Sequence, residues 1–170
     1  MNRPARLTAL SLALALAACG GSPESEASAE APALASTAVA MAEGERPTVL
    51  VFKTPTCGCC NGWVEHLEES GYTVETRDVR DLMSVKLDAG VPTPMSSCHT
   101  AIIDGYVVEG HVPASVVDQL LAERPDIAGI AVPGMPIGSP GMEGPNAKPY
   151  EVMSFDAEGN AAVYAEIDPR

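Results

Sequence analysis

The amino-acid sequence predicts an α/β fold with a central mixed sheet flanked by helices, and three observations support this prediction. A strand-like apolar run at residues 48–53 leads through a cysteine-rich turn into a helical pattern, and a second strand pattern follows. A helical connection of this kind makes the two strands parallel. Farther along, residues 100–103 and 106–109 flank an Asp-Gly turn, which is typical of an antiparallel hairpin.

Each predicted helix has an apolar face and an identifiable start or end. The first places Trp63 and Leu67 on one face and stops at Gly71. The second has its apolar face around Leu82, Val85 and Leu87 and stops at Gly90. The third begins near Pro113, a residue that suits the first turn of a helix. In chain order, the predicted elements are a strand at 48–53, a helix at 61–70, a strand at 72–79, a helix at 81–89, strands at 100–103 and 106–109, a helix at about 113–124, and strands at 150–155 and 161–167.

Two loops interrupt this order. Residues 91–99 contain Pro92 and Pro94, which keep the stretch out of a helix. Residues 125–149 are rich in proline and glycine, and a loop of this length is either functional or disordered. The chain is therefore expected to close with a C-terminal hairpin that follows a long Pro/Gly-rich loop.

The N-terminus resembles the signal peptide of a bacterial lipoprotein. Arg3 and Arg6 precede an apolar run that is too short to span a bilayer, and the run ends Leu-Ala-Ala-Cys at Cys19. In lipoproteins the chain is cut before this cysteine, which is then lipid-modified; an ordinary secretory signal is the alternative. Gly20 replaces the aspartate that retains lipoproteins in the inner membrane, which predicts sorting to the outer membrane of a Gram-negative cell.

Composition gives the domain boundaries. Residues 1–18 form the predicted lipoprotein signal peptide, residues 19–45 a flexible tether rich in Ala, Ser, Glu and Pro, and residues 46–170 the folded domain. The formal net charge of −13 argues against nucleic acid as a partner and repels the chain from anionic lipid. We expect a domain that faces the periplasm and contacts the membrane only through its lipid anchor.

Once Cys19 is assigned to the lipid, four cysteines remain, namely Cys57, Cys59, Cys60 and Cys98. An even number in an oxidising compartment permits two structural disulfides. The spacing argues against that interpretation, because Cys59 and Cys60 are adjacent and a bridge between neighbours is strained. Three of the thiols lie where a strand meets a helix, and a helix N-terminus favours the thiolate form.

The order β-α-β-α-β-β-α, with cysteines at the first strand-to-helix junction, resembles the thioredoxin fold. Cys57 and Cys60 have the C-x-x-C spacing found there. In a redox mechanism Cys57 would attack a disulfide and Cys60 would resolve the mixed disulfide. Cys59 would compete as a resolving thiol, however, and Cys98 would have no role.

A metal site uses all four thiols. Soft thiolates select Cu(I), Zn(II) or iron–sulfur clusters. In thioredoxin-like folds the proline-containing loop ahead of the third strand lies beside the C-x-x-C, which would bring Cys98 to the other three. Because the side chains of Cys59 and Cys60 diverge, they suit neighbouring ions better than a single ion, and this indicates a multinuclear site.

Histidines and methionines are candidate auxiliary ligands. His111 lies in a loop and is the stronger histidine candidate, because His99 follows Cys98 at a strand and is expected to point to the opposite face. Methionine thioethers are soft ligands that favour Cu(I), and methionines in loops have few core residues to pack against. For each of them, packing over the core is the alternative. The methionines in such loops are Met95, Met135 and Met142.

Several motifs, in order, resemble the CopG family of periplasmic copper-resistance proteins, which differ from the ribbon-helix-helix repressors of that name. The resemblance covers about residues 48–155. Its motifs are Cys-Gly-Cys-Cys at 57–60, Met-Ser-Ser-Cys-His-Thr-Ala at 95–101, Glu-Gly-His-Val-Pro-Ala at 109–114, Pro-Gly-Met-Pro at 133–136 and Gly-Ser-Pro-Gly-Met-Glu at 138–143.

The resemblance implies a thioredoxin-like domain in which Cys57, Cys59, Cys60 and Cys98 hold a copper cluster. It also implies a role in interconverting Cu(I) and Cu(II) during copper detoxification. We therefore predict a periplasmic copper-binding protein for copper resistance, with a copper exporter or a periplasmic electron donor as partner. The alternatives are a thiol-disulfide oxidoreductase and a passive copper chaperone or buffer, and turnover as a copper oxidoreductase is left open.

Overall fold

The computed structural model describes residues 46–170. The predicted signal peptide, the predicted lipidation site Cys19 and the predicted tether lie outside the described residues. Among residues 46–170, no helix combines the length and the apolar character needed to cross a membrane.

The described chain forms α-helices, one short 3-10 helix and strands. The helices are α1 (Gly58–Glu69), α2 (Leu82–Asp88) and α3 (Ala114–Glu123), with a 3-10 turn at Thr93–Met95. The strands are β1 (Val49–Lys53), β2 (Val74–Asp78), β3 (His99–Ile103), β4 (Tyr106–Glu109), β5 (Gly129–Ala131), β6 (Tyr150–Phe155) and β7 (Ala161–Ile167). Helix α1 begins at Gly58 rather than at residue 61, so Cys59 and Cys60 lie in its first turn.

The strands form one mixed sheet in the order β2-β1-β3-β4-β5-β6-β7. Strands β1 and β2 are parallel, and β3 pairs antiparallel with both β1 and β4, so the predicted parallel pair and hairpin are confirmed. The predicted C-terminal hairpin is also present, because β6 and β7 pair antiparallel. With seven strands, the sheet is larger than that of a typical thioredoxin fold.

Strand β5 lies within the stretch that the sequence predicts as a loop, and the prediction is wrong at this point. It pairs parallel with β4 and antiparallel with β6. Its three residues are too few to show an alternating pattern, and neighbours on both sides supply its backbone partners. Gly129 fits there because a Cβ would overlap the Val107 carbonyl and the Phe155 ring.

Apolar side chains cover both faces of the sheet. The main core packs one face against α1 and α3 and includes Trp63 and Leu120, both fully buried. Val108 belongs to this core, whereas the preceding Val107 belongs to a second, smaller cluster. The alternation of side chains along β4 places these two valines on opposite faces.

Helix α2 buries a charged residue where its sequence pattern predicts apolar ones. Leu87, assigned to the apolar face, is 65% exposed, whereas Lys86 is buried. The Nζ atom of Lys86 pairs with the Glu109 carboxylate and donates to Thr100 Oγ1 at 3.0 Å. This ion pair with a distant strand decides which side of the helix faces inward.

Candidate metal centre

Three chain segments meet at one end of the strands. Strand β3 runs antiparallel to β1, and Lys53 at the end of β1 pairs with His99 at the start of β3. Strand β4 runs antiparallel to β3 and ends at Glu109, opposite Thr100. The turn after β1, the loop before β3 and the loop after β4 therefore lie side by side. Each of the three carries a predicted ligand.

The structure brings the four predicted cysteines together. The sulfur atoms of Cys57, Cys59, Cys60 and Cys98 lie within 4.8 Å of one another. Cys57 is the N-cap of α1 and forms a disulfide with Cys60. Cys59 and Cys98 are free thiols, and Cys59 Sγ lies 3.6 Å from Cys57 Sγ and 3.9 Å from Cys98 Sγ. Two of the four cysteines in the cluster are therefore oxidised, and the other two are thiols.

Two histidines lie against Cys98. His111 Nε2 is 2.8 Å and His99 Nδ1 is 3.3 Å from the Cys98 sulfur. The three residues form a second group of donor atoms within 4.8 Å of one another. The prediction that His99 points away from Cys98 is wrong, because Cys98 precedes β3 and strand alternation does not apply between them.

Hydrogen bonds indicate where the protons of this group lie. His111 Nδ1 donates to the Pro140 carbonyl at 2.7 Å, which leaves the lone pair of Nε2 facing Cys98. Burial lowers the pKa of His111, so its ring is neutral at pH 7. Burial, together with the nearby Cys59 thiol, raises the pKa of Cys98 to about 12. In the metal-free protein the Cys98 thiol therefore donates to His111 Nε2.

His99 is enclosed by aromatic rings. Its ring centroid lies 4.4 Å from that of Trp63 and 5.0 Å from that of His111. Its Nε2 atom is buried and has no hydrogen-bond partner among residues 46–170. Burial, with smaller effects of His111 and Lys86, lowers the pKa of His99 well below its usual range. The neutral ring therefore keeps a nitrogen lone pair for a ligand.

Part of the long Pro/Gly-rich loop packs on the first turn of α1. A Cβ on Gly141 would lie 2.6 Å from the Cys59 carbonyl oxygen and 2.6 Å from the Trp63 amide nitrogen. Gly141 also has a φ of +79°, which glycine adopts without strain. The next residues of the loop bring Glu143 near His111, where its charge raises the pKa of His111 against the larger effect of burial. This loop belongs to the surroundings of the cysteines.

The methionines predicted as auxiliary ligands have different surroundings. Met95 packs against the second apolar cluster, and Met135 is 52% exposed. Met142 follows Gly141 in the loop that packs on α1, and its N–H donates to the Ser139 carbonyl at 2.8 Å. Ligation by any of the three stays a prediction.

Two side chains of α1 hold it against the segment that leads into α3. Trp63 Nε1 donates to the Val112 carbonyl at 2.8 Å, and His66 Nε2 accepts the Ala114 N–H at 3.0 Å. This segment begins directly after His111. The two bonds therefore fix His111 relative to the cysteine turn, and the second of them occupies the His66 lone pair.

A polar network beneath the Cys98 loop is not predicted by any sequence pattern. The buried carboxylate of Glu109 accepts the Ser97 N–H at 2.6 Å and the Thr100 hydroxyl at 2.7 Å, and it pairs with Lys86. The available signal was a lone charge at the end of an otherwise uncharged strand, β4. That signal gives no partner for the charge, because Lys86 lies on a separate helix.

An α/β fold that gathers four cysteines and two histidines at one end of its sheet defines a class of candidate metal-binding protein with soft sulfur and imidazole donors. Solved structures named "Copper resistance protein copG- Form 2" and "Copper resistance protein copG- Form 1" are each 46% identical to this chain. The matches cover 73% and 72% of this chain and 100% and 98% of those chains, with TM-scores of 0.69 and 0.68. The chain belongs to the CopG family of copper resistance proteins.

A family model gives a consistent result over a shorter stretch. The model described as "Protein of unknown function, DUF411" matches residues 95–142, from the Cys98 loop to the loop beside α1. No curated protein matches the chain. The family resemblance seen in the sequence motifs is confirmed.

Proposed function

We propose that this protein binds copper in a thiolate-rich site as part of copper resistance. The observation that carries the proposal is the convergence of four sulfur atoms within 4.8 Å at one end of the sheet. Thiolate sulfur selects Cu(I) over harder cations. The names of two structures that are 46% identical to this chain support copper as the metal.

A multinuclear site is part of the proposal. One group of donors is the four cysteines, and the other combines Cys98 with His99 and His111, so that Cys98 belongs to both. Six donors exceed the four that a tetrahedral ion takes. Sulfur donors suit Cu(I), and imidazole nitrogens also suit Cu(II). Two adjoining donor groups of different softness support cycling between the two oxidation states.

The disulfide between Cys57 and Cys60 bears on this cycling. The thiolate is the form that ligates a metal, so the disulfide has to be reduced before both sulfurs can ligate as thiolates. Reduction by two electrons would raise the number of available cysteine donors from two to four. The redox state of this pair would then set how many sulfur donors a copper ion meets.

A thiol-disulfide oxidoreductase is the second candidate, and the disulfide favours it. Cys57 is partly accessible at the N-terminus of α1, and its partner Cys60 is buried. An attacking and a resolving cysteine have this arrangement. Against this function stands Cys59, whose sulfur lies 3.6 Å from that of Cys57 and would compete for the same disulfide.

The proposal includes the cellular setting. The order β1-α1-β2-α2-β3-β4-α3 supports a thioredoxin-like core that β5, β6 and β7 extend. The Leu-Ala-Ala-Cys sequence ending at Cys19 supports a lipoprotein of the outer membrane that faces the periplasm. A copper exporter or an electron donor would be its partner. A passive chaperone or buffer that passes copper to an exporter is the alternative function in which no turnover occurs.

The test measures bound copper and free thiols in one reduced sample of the chain expressed without residues 1–19. We expect stoichiometric copper, and an affinity that falls by at least about tenfold in Cys98→Ser, since that substitution removes a donor shared by both groups. Ser96→Ala changes the same loop, leaves every sulfur in place and should keep the copper. An absence of copper, together with a reversible Cys57–Cys60 disulfide, would reject the metal site in favour of the oxidoreductase.

A further inference from the structure

A buried ion pair lies beneath the loop that carries Cys98. Glu109, at the end of β4, has 0% of its surface exposed, and Lys86 of α2 has 4% exposed. Lys86 Nζ pairs with the Glu109 carboxylate. Removing two charges from water carries a large desolvation cost, and apolar residues of similar volume are often equally stabilising. Stability alone is therefore a weak explanation for this pair.

The same carboxylate binds the backbone of the Cys98 loop. Glu109 Oε1 accepts the N–H of Ser97 at 2.6 Å. The Ser97 hydroxyl donates to the Gly134 carbonyl, and a Cβ on Gly110 would overlap the Ser97 side chain. Ser97 is thus held by its amide, its hydroxyl and its packing. Cys98 follows it directly in the chain.

The position of Glu109 relates two ligand-bearing segments. Its side chain holds the residue before Cys98, and its own backbone leads through Gly110 to His111. The Cys98 sulfur lies 2.8 Å from His111 Nε2 and 3.9 Å from Cys59 Sγ. A shift of the Ser97 peptide would change both distances at once.

We propose that Glu109 is a positioning residue whose carboxylate, balanced in charge by Lys86, holds Ser97 so that Cys98 faces Cys59 and His111. The consequence for copper affinity rests on the proposed function; the placement of the Cys98 thiol does not. The Glu109 carboxylate bonds to Lys86, Ser97 and Thr100 and to none of the four cysteine sulfur atoms, so it acts on Cys98 through the Ser97 peptide.

Two double variants isolate the hydrogen bond to Ser97. Glu109→Gln with Lys86→Met removes both charges and keeps a side-chain oxygen for the Ser97 N–H. Glu109→Leu with Lys86→Met removes the same charges and leaves that N–H without an acceptor. Each variant is made in the full chain and examined by circular dichroism for its fold. Cu(I) affinity is measured by competition with a chelator, and alkylation of Cys98 in the metal-free protein by mass spectrometry of the peptide.

The leucine double variant should bind Cu(I) about 10–100-fold more weakly, the loss typical when a residue that orients a ligand is removed, and its Cys98 should be alkylated faster. The glutamine double variant should stay close to the unaltered protein in both measurements. Equal affinity and equal alkylation in the two double variants would overturn the proposal.

Two further arms keep the test decisive. If the leucine double variant does not fold, Glu109→Asp keeps the charge and withdraws the carboxylate from Ser97, and it should also weaken Cu(I) binding and speed alkylation; no change in either would overturn the proposal. If the unaltered protein binds no copper but Cys98 alkylation still separates the double variants, the positioning role stands and the copper function fails.

Discussion

Cys98 carries a proton that a metal ion has to displace. Its sulfur belongs to both donor groups, and its thiol donates to His111 Nε2 at 2.8 Å. The pKa of Cys98 is raised to about 12, chiefly by burial, while burial lowers the pKa values of His99 and His111. Near neutral pH the histidines are therefore unprotonated, and the thiol is the protonated group at this position.

Cu(I) affinity should consequently rise with pH. A thiol with a pKa of about 12 is protonated across the neutral range, so each ion bound to Cys98 releases its proton. The association constant should gain up to about tenfold per pH unit from this one proton. Competition with a chelator at several pH values measures the slope. In Cys98→Ser the slope of the logarithm of the association constant against pH should be smaller by up to one. An unchanged slope would show that Cys98 is not a ligand.

Helix α1 presents the cysteines because neighbouring segments fix it along its length. Trp63 bonds to Val112 just before α3, His66 bonds to Ala114 at the start of α3, and the backbone of Gly141 packs on the first turn beside Cys59. The full burial of Trp63 adds a large apolar contact to these bonds. The cysteine turn is therefore held by elements that are distant in sequence.

Gly141→Ala should separate the loop from α1. The added Cβ would lie 2.6 Å from two backbone atoms of the helix, which cannot rotate away. Gly134→Ala is the matched control, because Gly134 has a φ of +70° but no atom within 4 Å of the added Cβ. We expect a loss in the free energy of unfolding of about 1–2 kcal/mol for Gly134→Ala from the left-handed backbone. Gly141→Ala should lose roughly 1–3 kcal/mol more by overpacking, as measured by urea unfolding.

Equal losses in the two alanine variants would mean that the loop moves away from α1 at no cost. In that case the contact at Gly141 would not fix the first turn. Copper affinity measured on the same samples would then be unchanged as well.

At the scale of elements, local patterns predict most of the sheet, and contacts between distant residues explain the errors. The Asp-Gly turn is a local signal, and the two strands that flank it occur as predicted, as does the C-terminal hairpin. Strand β5 depends on partners on both sides, and the burial of Lys86 depends on Glu109. Neither dependence can be seen within a window of a few residues.

The candidate site, too, was predictable where the signal is local and unpredictable where it depends on the rest of the fold. The spacing of Cys57, Cys59 and Cys60 is itself the signal of a thiol cluster, and the loop before β3 brings Cys98 to it, as predicted. The approach of His99 to Cys98 could not be predicted, because it depends on where β3 begins. The role of each residue as a ligand stays a prediction.

At the scale of the whole molecule, the binding of a metal ion at the candidate site would be linked to folding. The donors come from the turn after β1, the loop before β3 and the loop after β4, and only the folded sheet brings these segments together. An unfolded chain lacks this arrangement, so a metal that prefers the folded state stabilises it. The free energy by which the metal stabilises the folded state depends on how many donor atoms are available to bind it.

Cu(I) should therefore stabilise the reduced protein more than the protein that contains the Cys57–Cys60 disulfide. At a free Cu(I) concentration of 100 times the dissociation constant, the reduced protein should gain about 2.7 kcal/mol, which raises Tm by roughly 2–8 °C per kcal/mol.

With the disulfide intact, Cys59 and Cys98 are the free thiols of the cluster, and the gain at the same Cu(I) concentration should be smaller. Thermal unfolding with and without Cu(I), in both redox states, measures the difference. The double variant Cys57→Ser with Cys60→Ser lacks both sulfur atoms of the disulfide, so its gain in the reduced sample should be as small as that of the protein with the disulfide intact. An equal gain in both states of the unaltered protein would mean that Cys57 and Cys60 do not ligate copper, and the site would reduce to Cys59, Cys98 and the two histidines.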